Sequence, residues 1–123
     1  MKTESFSIKS LIIVAGITAI CLLPFITKAF HIDDTVYLWC AKQIQTNPLD
    51  FYGFTANWYG HQYPMFLTNQ NPPLVSYFIA GVTLLFGWNE IVLHLAFLVV
   101  GICLSVGIYF LARFFVQNLI LQL

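Results

Sequence analysis

The sequence predicts an all-α membrane protein with three transmembrane helices, and with an interfacial helix and an aromatic loop between the first and the second. Three observations carry that prediction. Hydrophobic residues make up 59% of the 123 residues and charged ones 8%, where soluble domains carry roughly 25% charge. Uncharged runs recur at lengths that suit a bilayer. The polar chemistry is gathered in one connection, residues 28–71, which holds every acidic residue except Glu4 and Glu90. The formal net charge is +0, from five basic and five acidic residues, so the basic stripe that a nucleic-acid partner needs is absent. Cys21, Cys40 and Cys103 show no CxxC spacing, so neither a zinc knuckle nor a disulfide framework is suggested, and they read as small packing residues.

The first span covers about residues 10–27, "SLIIVAGITAICLLPFIT", uncharged and bracketed by Lys9 and Lys28. A cleaved signal peptide is the competing reading, because Lys2 and Lys9 make a basic start and Ala29 ends a weak cleavage motif. Pro24 falls in the last turn, where a stop costs least. The second span, about 72–87, is expected to begin at Asn71 or Pro72, with Asn71 as N-cap and the prolines in the first turn. "GWNE" then permits only a tight hairpin into the third span, about 91–113, which Arg113 closes. Trp88 suits a membrane interface, and Gly101, Ser105 and Gly107 let another helix approach the third span closely.

Within the connection, Val36, Tyr37, Cys40, Ala41 and Ile44 recur with a helical period while Thr35, Lys42 and Gln45 fall elsewhere, which predicts a short helix lying in the membrane interface. "TNPLD" ends it. Residues 51–66 carry Tyr52, Phe54, Trp58, Tyr59 and Tyr63, broken by Gly53, Gly60 and Pro64, and read as an ordered aromatic loop. No Asn-x-Ser/Thr site or internal repeat occurs. Lys2 and Lys9 before the first span are balanced by Lys28, Lys42 and Arg113 beyond it, so loop charge does not set orientation. The usual dominance of the first segment favours a cytoplasmic N-terminus and an exported loop 28–71 in the cell's inner membrane.

Asp33 and Asp34 stand where that interfacial helix begins. Helix capping explains one of them, because a carboxylate oxygen accepts from the free N–H groups of the first turn. Two carboxylates cannot serve the same N–H groups, which leaves the other to face a reaction as a general base. His31 and His61 are of a type that joins carboxylates around a divalent metal, although their spacing matches no metal motif and interfacial histidines are the simpler reading. His94 inside the third span is expected to make a helix contact. Glu90 reads as a solvated hairpin residue or the partner of a basic group. The rings of "NWYGHQYP" suit interfacial anchoring, and such rings also stack on sugars.

Taken together, "DDTVYLWCAKQI", "PLDFYGFTANWYG", "NPPLVSYFIAGVTLLFGWNEIVLHLAF" and "YFLAR" resemble the beginning of a GT-C type membrane glycosyltransferase, of the family that includes dolichyl-phosphate-mannose protein mannosyltransferases and the lipid A aminoarabinose transferase. The resemblance runs from the first span to Arg113. It implies sugar transfer with inversion from a polyprenyl-phosphate carrier to an acceptor hydroxyl, in protein glycosylation or cell-envelope assembly. Carried over by position, Asp33 is the catalytic carboxylate and Asp34 its supporting or capping neighbour. His31, Tyr37, Trp58, Tyr59, His61 and Asn71 are the candidate substrate-facing residues. A divalent metal, present in some relatives, would need ligands from outside this stretch. Two departures stand out: His94 occupies a position where relatives often have arginine, and relatives run to many spans with basic loops that hold the lipid phosphate. The chain is therefore expected to be an N-terminal part, inactive alone, whose partners are membrane lipid, the sugar donor and further spans or another subunit. The alternative is a small three-span membrane scaffold that binds a partner without catalysis. A transporter would need ionisable residues in several spans, and only His94 qualifies.

Overall fold

A computed structural model describes residues 8–115; Lys2 and Glu4 lie outside the described residues. In order, the elements are α1 (Ile8–Leu22), a 3-10 turn (Leu23–Phe25), α2 (Ile32–Thr46), β1 (Thr55–Trp58), β2 (His61–Pro64), α3 (Met65–Thr68), α4 (Leu74–Phe86) and α5 (Glu90–Phe115). The chain is mostly helical. It divides into two compact units, one made of residues up to Thr27 and from His94 onward, the other of Lys28–Leu93.

Ile8–Phe25 and Glu90–Phe115, at 18 and 26 residues, are long and apolar enough to cross a membrane, and almost none of either is buried inside the chain. The α-helical part of the first run stops at Leu22, where Pro24 lacks an N–H, and the chain tightens into the 3-10 turn closed by Ile26 N–H on the Leu23 carbonyl. Thr18 and Ser105 return their hydroxyl hydrogens to Val14 and Gly101 carbonyls at 2.9 and 3.0 Å, so neither leaves an unmet donor among apolar side chains. Gly101 marks a close approach: a Cβ added there would stand 3.1 Å from Leu22 Cδ1. His94 Nδ1 lies 2.8 Å from the Ile26 carbonyl. A carbonyl only accepts, so Nδ1 carries the hydrogen.

In the second unit, α2 packs on α4. Ala41 and Ile44 meet Ile79, Ala80 and Leu93 in one core, while Val36, Cys40, Ala56 and Met65 form a second core under β1. The apolar face read from the α2 sequence is thus buried against protein, and each fully buried Ile or Leu there contributes about 1.5–3 kcal/mol. Gln45 Nε2 fixes the pair by donating to the Ala80 carbonyl at 3.0 Å and to Thr83 Oγ1 at 2.9 Å.

Two sequence expectations are corrected. First, α4 begins at Leu74 with Pro73 in the N-cap position, not at Asn71 or Pro72. A residue that precedes proline is pushed out of the α region, and Asn71 and Pro72 both precede one. Its 13 residues reach about 20 Å, short of a hydrocarbon core about 30 Å thick, so two helices rather than three have the length to cross. Second, the aromatic stretch holds an antiparallel hairpin, in register Thr55↔Pro64, Ala56↔Tyr63, Asn57↔Gln62 and Trp58↔His61. Its two turn residues have positive φ, Tyr59 at 51° and Gly60 at 84°, the backbone of a type I′ turn that matches strand twist. The chain is therefore mostly helical with one short β-hairpin. Glu90 is exposed, in keeping with a solvated hairpin residue, and its Oε1 accepts from the Phe30 N–H at 3.4 Å.

Candidate functional site

The site is built on the first turns of α2. His31 is the N-cap, in extended conformation, and its N–H donates to Asp34 Oδ2 at 2.7 Å. The carboxylate three residues into the helix thus reaches back to a backbone group at its start. Asp33 is exposed and accepts no hydrogen bond among the described residues, although the positive end of the helix favours its charge. Tyr37 follows four residues later on the same helix face.

The Tyr37 hydroxyl is held from across the unit. Asn71 Nδ2 donates to it at 3.0 Å, which leaves the phenol's own hydrogen available for a further acceptor. Asn71 is itself held by both backbone groups: its N–H donates to Asn69 Oδ1 at 3.1 Å, and its carbonyl accepts from the Tyr52 hydroxyl. Asn69, buried, donates through Nδ2 to the Cys40 sulfur at 3.8 Å. A connected series Cys40, Asn69, Asn71, Tyr37 therefore ties the segment before α4 to the face of α2 that carries Asp33. Burial pushes the Cys40 thiol up, and hydrogen bonding with Asn69 and Ser76 pulls it part of the way back. Burial also raises the Tyr52 phenol, with the nearby Cys40 and Tyr37 adding to the rise.

Of the residues singled out in the sequence, the fold joins Tyr37 to Asn71 and His31 to Asp34. Trp58, Tyr59 and His61 belong to the hairpin instead: Trp58 stacks edge-on with Tyr59 at 5.3 Å, pairs with His61 across the ladder and meets Trp39 of α2 at 6.2 Å. Trp39 is rotated from Asp33 by about a third of a turn, so those rings gather on another face of α2. No group of three or more His, Cys, Asp or Glu among the described residues is placed to hold a metal, so His31, His61, Asp33 and Asp34 do not assemble into the ligand set considered from the sequence. Sequence reasoning missed Tyr52 and Asn69. Asn69 had a signal: an Asn two residues before another residue's N–H forms an Asx turn, here just ahead of two prolines.

Residues 70–120 match the family model described as dolichyl-phosphate-mannose-protein mannosyltransferase. No curated protein and no solved structure matches the chain. With the two apolar helices, the family match points to a membrane protein. The matched stretch starts beside the Asn71 that binds Tyr37 and continues through α4 and α5, so this segment of the chain is similar to the dolichyl-phosphate-mannose-protein mannosyltransferase family.

Proposed function

We propose that the chain forms part of an inverting glycosyltransferase that moves a sugar from a polyprenyl-phosphate carrier to an acceptor hydroxyl, with Asp33 as general base. One observation carries this reading: Asn71, inside the family-matched stretch, is bonded to Tyr37, one helical turn from Asp33. In the proposed step Asp33 takes the acceptor's proton as its oxygen attacks the anomeric carbon. The bond to the phosphate oxygen breaks on the opposite face, and the carrier phosphate leaves with the electron pair. Asp34, engaged at the helix start, supports that arrangement without entering it. Tyr37 directs its free hydrogen to a substrate oxygen.

In this reading residues 28–93 lie on the exported side of the inner membrane, with α2 in the interface, and α4 rests beside it without crossing. The His94 ring at the Ile26 carbonyl supports that topology, because the chain that leaves α1 is back at the same end of the helix pair. The Lys28–Leu93 unit has only Lys28 and Lys42 as cations, so the carrier phosphate is met by groups from elsewhere, and the chain alone is inactive. Transfer of a labelled sugar from its polyprenyl-phosphate donor, assayed in native membranes, tests the assignment. Asp33→Asn is expected to lower kcat by about 10²–10⁴. A rate unchanged by Asp33→Asn overturns it.

A further inference from the structure

We propose that a second face of α2 carries a carbohydrate-binding groove, separate from the face of Asp33. Between α2 and β1 lies a cleft of about 420 Å³, within the range of about 300–1,000 Å³ usual for small-ligand sites. Its apolar walls are Trp39 and Phe54; Gln43, Thr46 and Asn57 supply the polar groups, and Lys42 stands at the side. Trp39, Gln43 and Thr46 recur at spacings of four and three along α2, a stripe turned by about a third of a revolution from Asp33. Trp39 is braced edge-on by Trp58 at 83°, so its ring is held ready for stacking.

The hydrogen-bond inventory selects the ligand class. Gln43 spends one of its two Nε2 hydrogens on the Asp50 carbonyl at 3.0 Å, which leaves one N–H donor and Oε1 as an acceptor. Thr46 spends its hydroxyl hydrogen on the Gln43 carbonyl at 2.9 Å, which leaves oxygen lone pairs. The helix side of the cleft therefore offers more acceptors than donors, and its ligand must bring donors to meet them. A phosphate brings acceptors only and would leave Gln43 Oε1 and the Thr46 lone pairs unmet, and Lys42, at the side of the cleft, holds its Nζ over the Trp88 ring, 5.2 Å from its centre. An acyl chain would strip water from Gln43 and Thr46 and return nothing. A pyranose meets both demands: its C–H face lies against the aromatic wall, and its hydroxyls donate to Gln43 and Thr46 while Asn57 answers with an amide that both donates and accepts. The groove goes beyond the transfer reaction, since it binds a sugar ring whether or not Asp33 acts on one.

Saturation-transfer NMR on the chain in lipid nanodiscs, with methyl α-D-glucopyranoside and methyl α-D-mannopyranoside as probes, tests this directly. Ring C–H protons of at least one glycoside are expected to saturate. Thr46→Phe, which fills the cleft from an exposed helix position, and Asn57→Ala are each expected to weaken binding by about tenfold, or about 1.4 kcal/mol. Circular dichroism checks that both variants stay helical. Asp33→Asn retains wild-type binding, and inorganic phosphate does not displace the glycoside. No saturation from either probe on a folded chain, undiminished saturation in Thr46→Phe, or displacement by phosphate overturns the proposal. Failure here leaves the Asp33 assignment standing, and an unaffected rate in Asp33→Asn leaves the groove standing.

Discussion

Asp33 and Asp34 are neighbours in sequence, yet one helical step of about 100° sends their carboxylates to different tasks. Asp34 is occupied at the helix start through the His31 N–H, while Asp33 remains unbonded among the described residues. Asp34→Ala should therefore act through stability: loss of the reciprocal contact costs about 1 kcal/mol and frays the first turn of α2. Hydrogen exchange of the amides in that turn reads the effect directly. Cys40 supplies the contrasting case of a side chain whose environment silences it. Burial holds its thiol above the ordinary range, so it stays neutral and protonated at physiological pH. A maleimide should modify Cys40 only slowly in the folded protein and rapidly once it is unfolded. The linkage has a definite sign: the folded thiol binds its proton more tightly, so its contribution is intact below the ordinary thiol range and falls as pH rises through the folded value. A stability profile that improves with alkaline pH in wild type, but not in Cys40→Ala, contradicts this.

At the scale of elements, what the sequence discloses depends on how local the cause is. The face of α2 was legible because Val36, Cys40, Ala41 and Ile44 repeat with the helix period, and that same face is buried in the fold. The start of α4 was misplaced because Asn71 is a favoured cap, while the restraint that two successive prolines impose on the residues before them prevailed. The hairpin was hidden because strands of four residues give alternation too little length to register, and its turn is Tyr-Gly rather than Asn-Gly. The Cys40 to Tyr37 series was beyond reach from spacing, since Asn69 meets Cys40 across 29 residues only after the chain has packed. Gly60 bears the turn at φ +84°, in a region that L side chains avoid. Gly60→Ala should destabilise the hairpin by about 1–2 kcal/mol without disturbing α2, measured as faster exchange at the Thr55–Trp58 amides alone.

For the whole molecule, the decisive question is how many times the chain crosses the membrane. Three crossings follow if each apolar segment is counted as a span; two follow if length decides, since α4 reaches only about 20 Å. Within the unit of α1 and α5, the His94 ring against the Ile26 carbonyl brings the start of the intervening stretch and its end to the same end of one helix pair. A full crossing by α4 would instead deliver the turn before α5 to the opposite side from the chain leaving α1. The two topologies therefore disagree about Leu49, exposed beyond α2, and Trp88, between α4 and α5. Single cysteines at these positions, in a background with Cys21, Cys40 and Cys103 replaced by alanine, are expected to react with a membrane-impermeant maleimide from one and the same side, the outside of intact cells. Reaction of Leu49→Cys from outside and of Trp88→Cys only after permeabilisation would show that α4 crosses. Reaction of both only after permeabilisation would place Asp33 in the cytoplasm and remove it from any exported acceptor.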